Sequence, residues 1–336
     1  MNHEQRLIRT IRLSLVSISA MVAFLVLLTF VLLNPSILDY AKSIPPGNPQ
    51  SPSSVTWISP DSLDIPSSEA GDLIRFGQEL VSNTSRYLGP NGSIMSVSNG
   101  MNCQNCHLKA GRKLFGNNYS AVASTYPKFR TRSGTVETIE KRVNDCIERS
   151  LNGKKIDPGS HEMKAFVAYI LWVGKDVPKG VSPTGSGIVD LPFLDRATEP
   201  SRGKVIYQRD CKRCHGENGE GIKADESAWR YPPLWGNESF NTGAGLFRLS
   251  RLSGYVKKNM PQDVTKETPL LTDEEAWDVA AYINSMPRPS KDLTGDWPDI
   301  ATKPMDHPFG PFADSFPAAQ HKYGPFAPIK EHYMKK

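Results

Sequence analysis

Apolar residues along the chain fall into three regimes. The first is one continuous run, Leu13 to Leu33, 21 residues without a charge. About 20 apolar residues are what a helix needs to span a bilayer. Arg6, Arg9 and Arg12 stand just before the run and place that end on the cytoplasmic side. No small-x-small cleavage site follows it. The reading is an uncleaved N-terminal anchor with the rest of the chain exported. The second regime is Pro- and Ser-rich and unpatterned, residues 35–67, a linker. The third is helical periodicity. Leu73, Phe76 and Leu80 recur at helical spacing, as do Val136, Ile139, Val143 and Ile147, with Gly153 as the stop. SHEMKAFVAYILWVGK reads as a helix capped by Ser160, and LTDEEAWDVAAYINSMP as one with a capping box at Thr272 and Glu275. LFRLSRLSGYVKKNMP is a further helix, ended by Pro261. No strand alternation emerges, so the predicted class is mostly α.

The helices repeat in order. Each half offers a helix, a C-x-x-C-H motif, a long loop, a second helix and a closing helix, which marks an internal duplication of about 90 to 110 residues. The boundaries expected are 1–34 anchor, 35–67 linker, 68–180 first domain, 181–198 linker, 199–288 second domain, and 289–336 a Pro-rich C-terminal extension. Of the 336 residues 38% are hydrophobic, a thin supply for two cores once the first run is set aside. The net charge of +5 is too mild to argue for nucleic acid, and no basic helix or stacking motif supports that class.

The motifs are CQNCH, Cys103 to His107, and CKRCH, Cys211 to His215. C-x-x-C-H is the attachment signature of c-type haem. The two thiols take the two vinyl groups, and the histidine reaches the iron. Zinc would want a second C-x-x-C or an H-x-x-x-H. A thioredoxin-type pair would want a βαβ setting, and disulfides are an option in an exported chain. Two matched copies, each followed by histidine, favour two covalently bound haems c with Cys103, Cys106, His107, Cys211, Cys214 and His215 as their holders. Covalent haem also accounts for the thin core.

Each iron has a further axial position, and its occupant sets the potential. In the second half Met260 is the candidate, with Met286 as the alternative at the end of the closing helix. In the first half no Met-Pro stands at the equivalent place. Cys146 does, 39 residues after His107, the fifth cysteine and the one outside the motifs. Arg142 and Ser150 flank it at i−4 and i+4, on the same helical face. A cation beside a thiol favours thiolate, the form that ligates iron.

The combination of CQNCH, DCIERSLNG and CKRCHG resembles the bacterial thiosulfate dehydrogenases, periplasmic dihaem cytochromes c that join two thiosulfates into tetrathionate. The first domain is also similar to the haem domain of the SoxA sulfur-oxidation cytochromes. The resemblance runs from about Ser68 to Phe326. It implies two tandem cytochrome c domains, His107 and Cys146 as axial ligands of the first haem, and substrate-site roles for Arg132, Arg142 and Ser150. It implies His215 at the second iron. Some members place a lysine opposite that histidine; Leu246 and Phe247 occupy the corresponding region here, which favours Met260. The expected partners are thiosulfate and tetrathionate, an electron-accepting cytochrome or terminal oxidase, and the inner membrane through the N-terminal helix. The couple can run in either direction. Two other functions compete: a dihaem electron-transfer protein without substrate chemistry, and a SoxA-like sulfur-transfer cytochrome.

Overall fold

A computed structural model describes residues 53–226, 228–262 and 268–335, together with Met21. The apolar run proposed as an anchor lies outside them. Among the described residues no helix is long and apolar enough to cross a membrane. Residues 52–336 form one unit.

The two halves share a structural device. In the first, Ser68 caps the helix Glu69–Ser82 by accepting from Gly71 N. The closing helix, His161–Val173, is capped by Ser160. The two cross at Gly77, where an added Cβ would stand 2.0 Å from the carbonyl oxygen of Ala165. In the second half Pro200–Ile206 continues through a wide turn, Tyr207–Cys211, into Lys212–His215. It crosses the closing helix Asp273–Ser285 at Gly203, where a Cβ would stand 2.0 Å from the carbonyl oxygen of Asp278. Backbones this close admit glycine alone. The capping box at Thr272 and Glu275 is present.

Each crossing sits on its own core. Leu80, Ile147, Met163, Phe166 and Tyr169 are buried in the first. Tyr207, Leu252, Val256, Trp277 and Ile283 are buried in the second. The halves are not sealed off from one another: Trp229, Phe240 and Phe247, from the long loop of the second half, pack into the first core.

Three departures from the sequence reading stand out. The helix expected from about Thr135 begins only at Ile139, with Thr138 as its cap. Thr135–Glu137 instead pairs antiparallel with Lys128–Arg130, and Val136 is exposed. Its apolar spacing matched the helix by coincidence, and the Thr138 cap was the overlooked boundary. The linker's last residues are structured too: Ser53–Thr56 pairs in parallel with Pro183–Thr184, and buried Trp57 donates to Val173 O. The C-terminal extension carries two short helices, Ala318–Tyr323 and Ala327–Met334, and lends Phe326 and Ile329 to the second core. The three two-stranded ladders leave the described chain mostly helical.

Candidate active site and cofactor sites

Cys146 sits mid-helix in Ile139–Arg149, and its carbonyl accepts from Ser150 N at 2.7 Å and Leu151 N at 3.1 Å as the helix stops. Burial pushes its thiol up. The Arg142 cation, a hydrogen bond with the His107 ring and the charges of His107 and Arg132 more than offset that, and bring it down to about 7. Burial takes Cys103 and Cys106 the other way, up to about 12, and the nearby charge of Cys146 adds to it. Of these three converging thiols Cys146 alone is held toward thiolate. None of the five cysteines is in a disulfide.

Arg142 is half-buried, and its strongest electrostatic interaction is with the Cys146 thiol. The charge of Cys146 holds its pKa above the ordinary arginine value. Tyr126 and the buried Glu137 also act on it. Arg132 is placed differently. Its Nη2 donates to Asp145 Oδ2 at 2.7 Å, and Lys141 binds the other oxygen of that carboxylate at 2.8 Å. One arm of the Arg132 fork is therefore spent on holding the hairpin to the cysteine helix. Ser150 caps that helix on the Cys146 face.

The two histidines are set alike. His107 Nδ1 faces Asn117 O at 2.5 Å, and His215 Nδ1 faces Pro232 O at 2.9 Å. In each ring a backbone carbonyl takes Nδ1 and leaves Nε2 for a metal. Burial lowers the His215 pKa against the contrary effect of that carbonyl, which keeps the ring neutral, as a ligand must be.

Cys211, Cys214, His215 and Met260 line one cavity of about 440 Å³. Its walls are largely apolar, with Leu252 and Ile283 among them. Leu246, in the region where some family members place a lysine, also lines it. Met286 does not; it packs against the second core. From the first half, Asn105 and Cys106 complete one side.

Residues 200–287 match the cytochrome c family and residues 95–178 the SoxA/TsdA cytochrome c domain. The thiosulfate dehydrogenase of Psychrobacter arcticus is 39% identical over 243 residues, 71% of this chain and 71% of that one. That of Allochromatium vinosum is 34% identical over 252 residues, 74% of this chain and 90% of its own. The chain belongs to the thiosulfate dehydrogenase family. Among solved structures, the TsdBA thiosulfate dehydrogenase of Marichromatium purpuratum in its as-isolated form superposes with a TM-score of 0.65 at 30% identity, over 70% of this chain and 50% of that one.

As a family member it carries two c-type haems. The residues present fit them. Four attachment thiols stand beside two histidines whose outer nitrogens are fixed, and each histidine has a sulfur donor in its half: Cys146, hydrogen-bonded to His107, and Met260, in the His215 cavity.

Sequence reasoning missed the tail's part in this dehydrogenase site. Arg149, one turn from Cys146, makes a two-pronged pair with Asp296, both bonds at 2.7 Å. Trp297 N donates to Arg132 O at 2.7 Å. These contacts pin the C-terminal extension against the cysteine helix and the hairpin. Asp145 had a local signal in Lys141 at i−4. Asp296 had none.

Proposed function

We propose that this chain oxidises two thiosulfates to tetrathionate and passes the electrons through its second half to a respiratory acceptor. The observation that carries the reading is the convergence of His107, the Cys146 thiol and Arg142, the cation that draws that thiol toward thiolate. It is a nucleophile and a cation at one place, suited to a small sulfur dianion.

Bound haem c supplies one-electron acceptors, and two of them match the two electrons released. The chain's own residues do the rest. Arg142 offers its forked donors to the sulfonate oxygens of thiosulfate, with the free arm of Arg132 beside it. The Cys146 sulfur forms a bond to the sulfane sulfur of the first thiosulfate, and two electrons leave. The sulfane sulfur of the second thiosulfate then attacks that of the adduct. Tetrathionate departs and the Cys146 thiolate is restored, a thiol–disulfide exchange in kind. In this reading Cys146 would help hold the first haem alongside His107, and Met260 the second alongside His215. Leu13–Leu33 anchors the exported body to the inner membrane on its periplasmic side. Its electrons go to a cytochrome or a terminal oxidase.

The test is to mix oxidised protein with thiosulfate, follow the haem bands and analyse the product. Haem reduction with stoichiometric tetrathionate is expected. Haems that stay oxidised under thiosulfate yet reduce with dithionite would leave an electron carrier without substrate chemistry. Arg142→Ala is expected to lower kcat/KM by roughly tenfold to a hundredfold, the worth of one charge-assisted hydrogen bond at about 1.5–3 kcal/mol. Steady-state kinetics at varied thiosulfate would show it, and an unchanged kcat/KM would remove Arg142 from the substrate site.

A further inference from the structure

The helix Leu249–Asn259 ends at Met260, and it is tied down at both ends by segments from outside its own domain. At its start Asp306, from the C-terminal extension, accepts from Arg248 Nε at 2.9 Å and from Ser250 N at 3.1 Å. At its end two side chains reach into the first half. Tyr255 Oη donates to Asn105 O at 3.0 Å. Asn105 lies between the two cysteines of CQNCH. Asn259 Nδ2 donates to Phe115 O at 3.0 Å as well as to Tyr255 O within its own helix. Both side chains are buried, Asn259 at 1% and Tyr255 at 5% exposure.

These residues also line the cavity that holds His215 and Met260, and so do Asn105 and Cys106. The attachment thiol of the first haem and the distal ligand of the second therefore border one space, with Tyr255 between their chain segments. Burial pushes the Tyr255 phenol well above its usual range, so the hydroxyl keeps its proton and donates.

We propose that Tyr255 and Asn259 are positioning residues for electron transfer between the two haems: they dock the Met260 helix onto the attachment segment of the first. Tyr255 fixes the spacing across the shared wall. Asn259, the residue before Met260, fixes the direction from which the thioether enters the cavity. The inference rests on Met260 as the second haem's ligand.

Tyr255→Phe removes one oxygen from the holoprotein and leaves the ring in place. It is expected to keep two haems per chain by mass spectrometry and the near-red charge-transfer band of methionine ligation. After rapid injection of one electron, equilibration between the haems should slow by roughly twofold to tenfold, the population cost of one lost neutral hydrogen bond. Direct reduction of the second haem by dithionite should be unchanged. An unaltered equilibration rate overturns the proposal. So does an equal slowing of both processes, which means general damage. Asn259→Ala is expected to weaken the charge-transfer band and lower the second haem's potential, since methionine ligation raises it; a full band at the wild-type potential overturns the Asn259 role. Met260→Ala is the separate control. A charge-transfer band that survives it refutes the ligand assignment itself.

Discussion

Cys146→Met is expected to keep both haems reducible by dithionite and to lose thiosulfate turnover. Methionine supplies a soft sulfur, and its unbranched side chain suits the middle of a helix. As a ligand it is an adequate substitute. As a nucleophile it is not, because its sulfur is already alkylated and cannot take up a second sulfur and release it. Removing a covalent nucleophile costs on the order of 10⁴-fold or more in turnover where such losses have been measured. The thiolate-type low-spin signal in electron paramagnetic resonance should vanish with the substitution, while the second haem's signal stays. Tetrathionate production at the wild-type rate would show that the cysteine only ligates, and the sulfur-exchange mechanism would fall.

Replacing Cys211 and Cys214 together by serine is expected to remove the second haem, and with it the native packing of the second half. The cavity between His215 and Met260 measures about 440 Å³. Its largely apolar walls would then face water in place of the macrocycle, and the second half would lose the apolar burial that stabilises it. The half would collapse or unfold rather than stand hollow. Limited proteolysis should cut within residues 199–288, mass spectrometry should find one haem, and thiosulfate oxidation should fail for want of an electron exit. A protease-resistant single-haem variant with full turnover would contradict both the packing argument and the electron route.

What the sequence made legible was whatever chemistry writes into short spacings. The C-x-x-C-H motifs are one case. The caps at Ser160 and Thr272 are another, since a cap is a contact between neighbours. The odd count of cysteines singled out Cys146. What stayed hidden is what the fold brings together from afar. Arg149 and Asp296 lie 147 positions apart, and nothing local to either predicts the other. The pairing of Arg132 with Asp145 was equally hidden, since the two lie on different elements. Val136 was misread for a different reason: its short apolar run fits a strand as well as a helix, and only pairing with Lys128–Arg130 decides between them. The tail after Met286 carried no period at all, yet its carboxylates at 296 and 306 hold elements of both halves.

The side of the His215 cavity formed by Asn105 and Cys106 bears on how the molecule is made. The ribosome delivers residues 103–115 well over a hundred positions before Tyr255, Asn259 and Met260. The surface against which the Met260 helix docks is thus already synthesised when that helix emerges. The reverse gene order would leave the Met260 helix waiting with its polar side chains unpaired. A version split between the halves, co-expressed as two chains, would face the same wait, and would need the two pieces to find each other before either was complete.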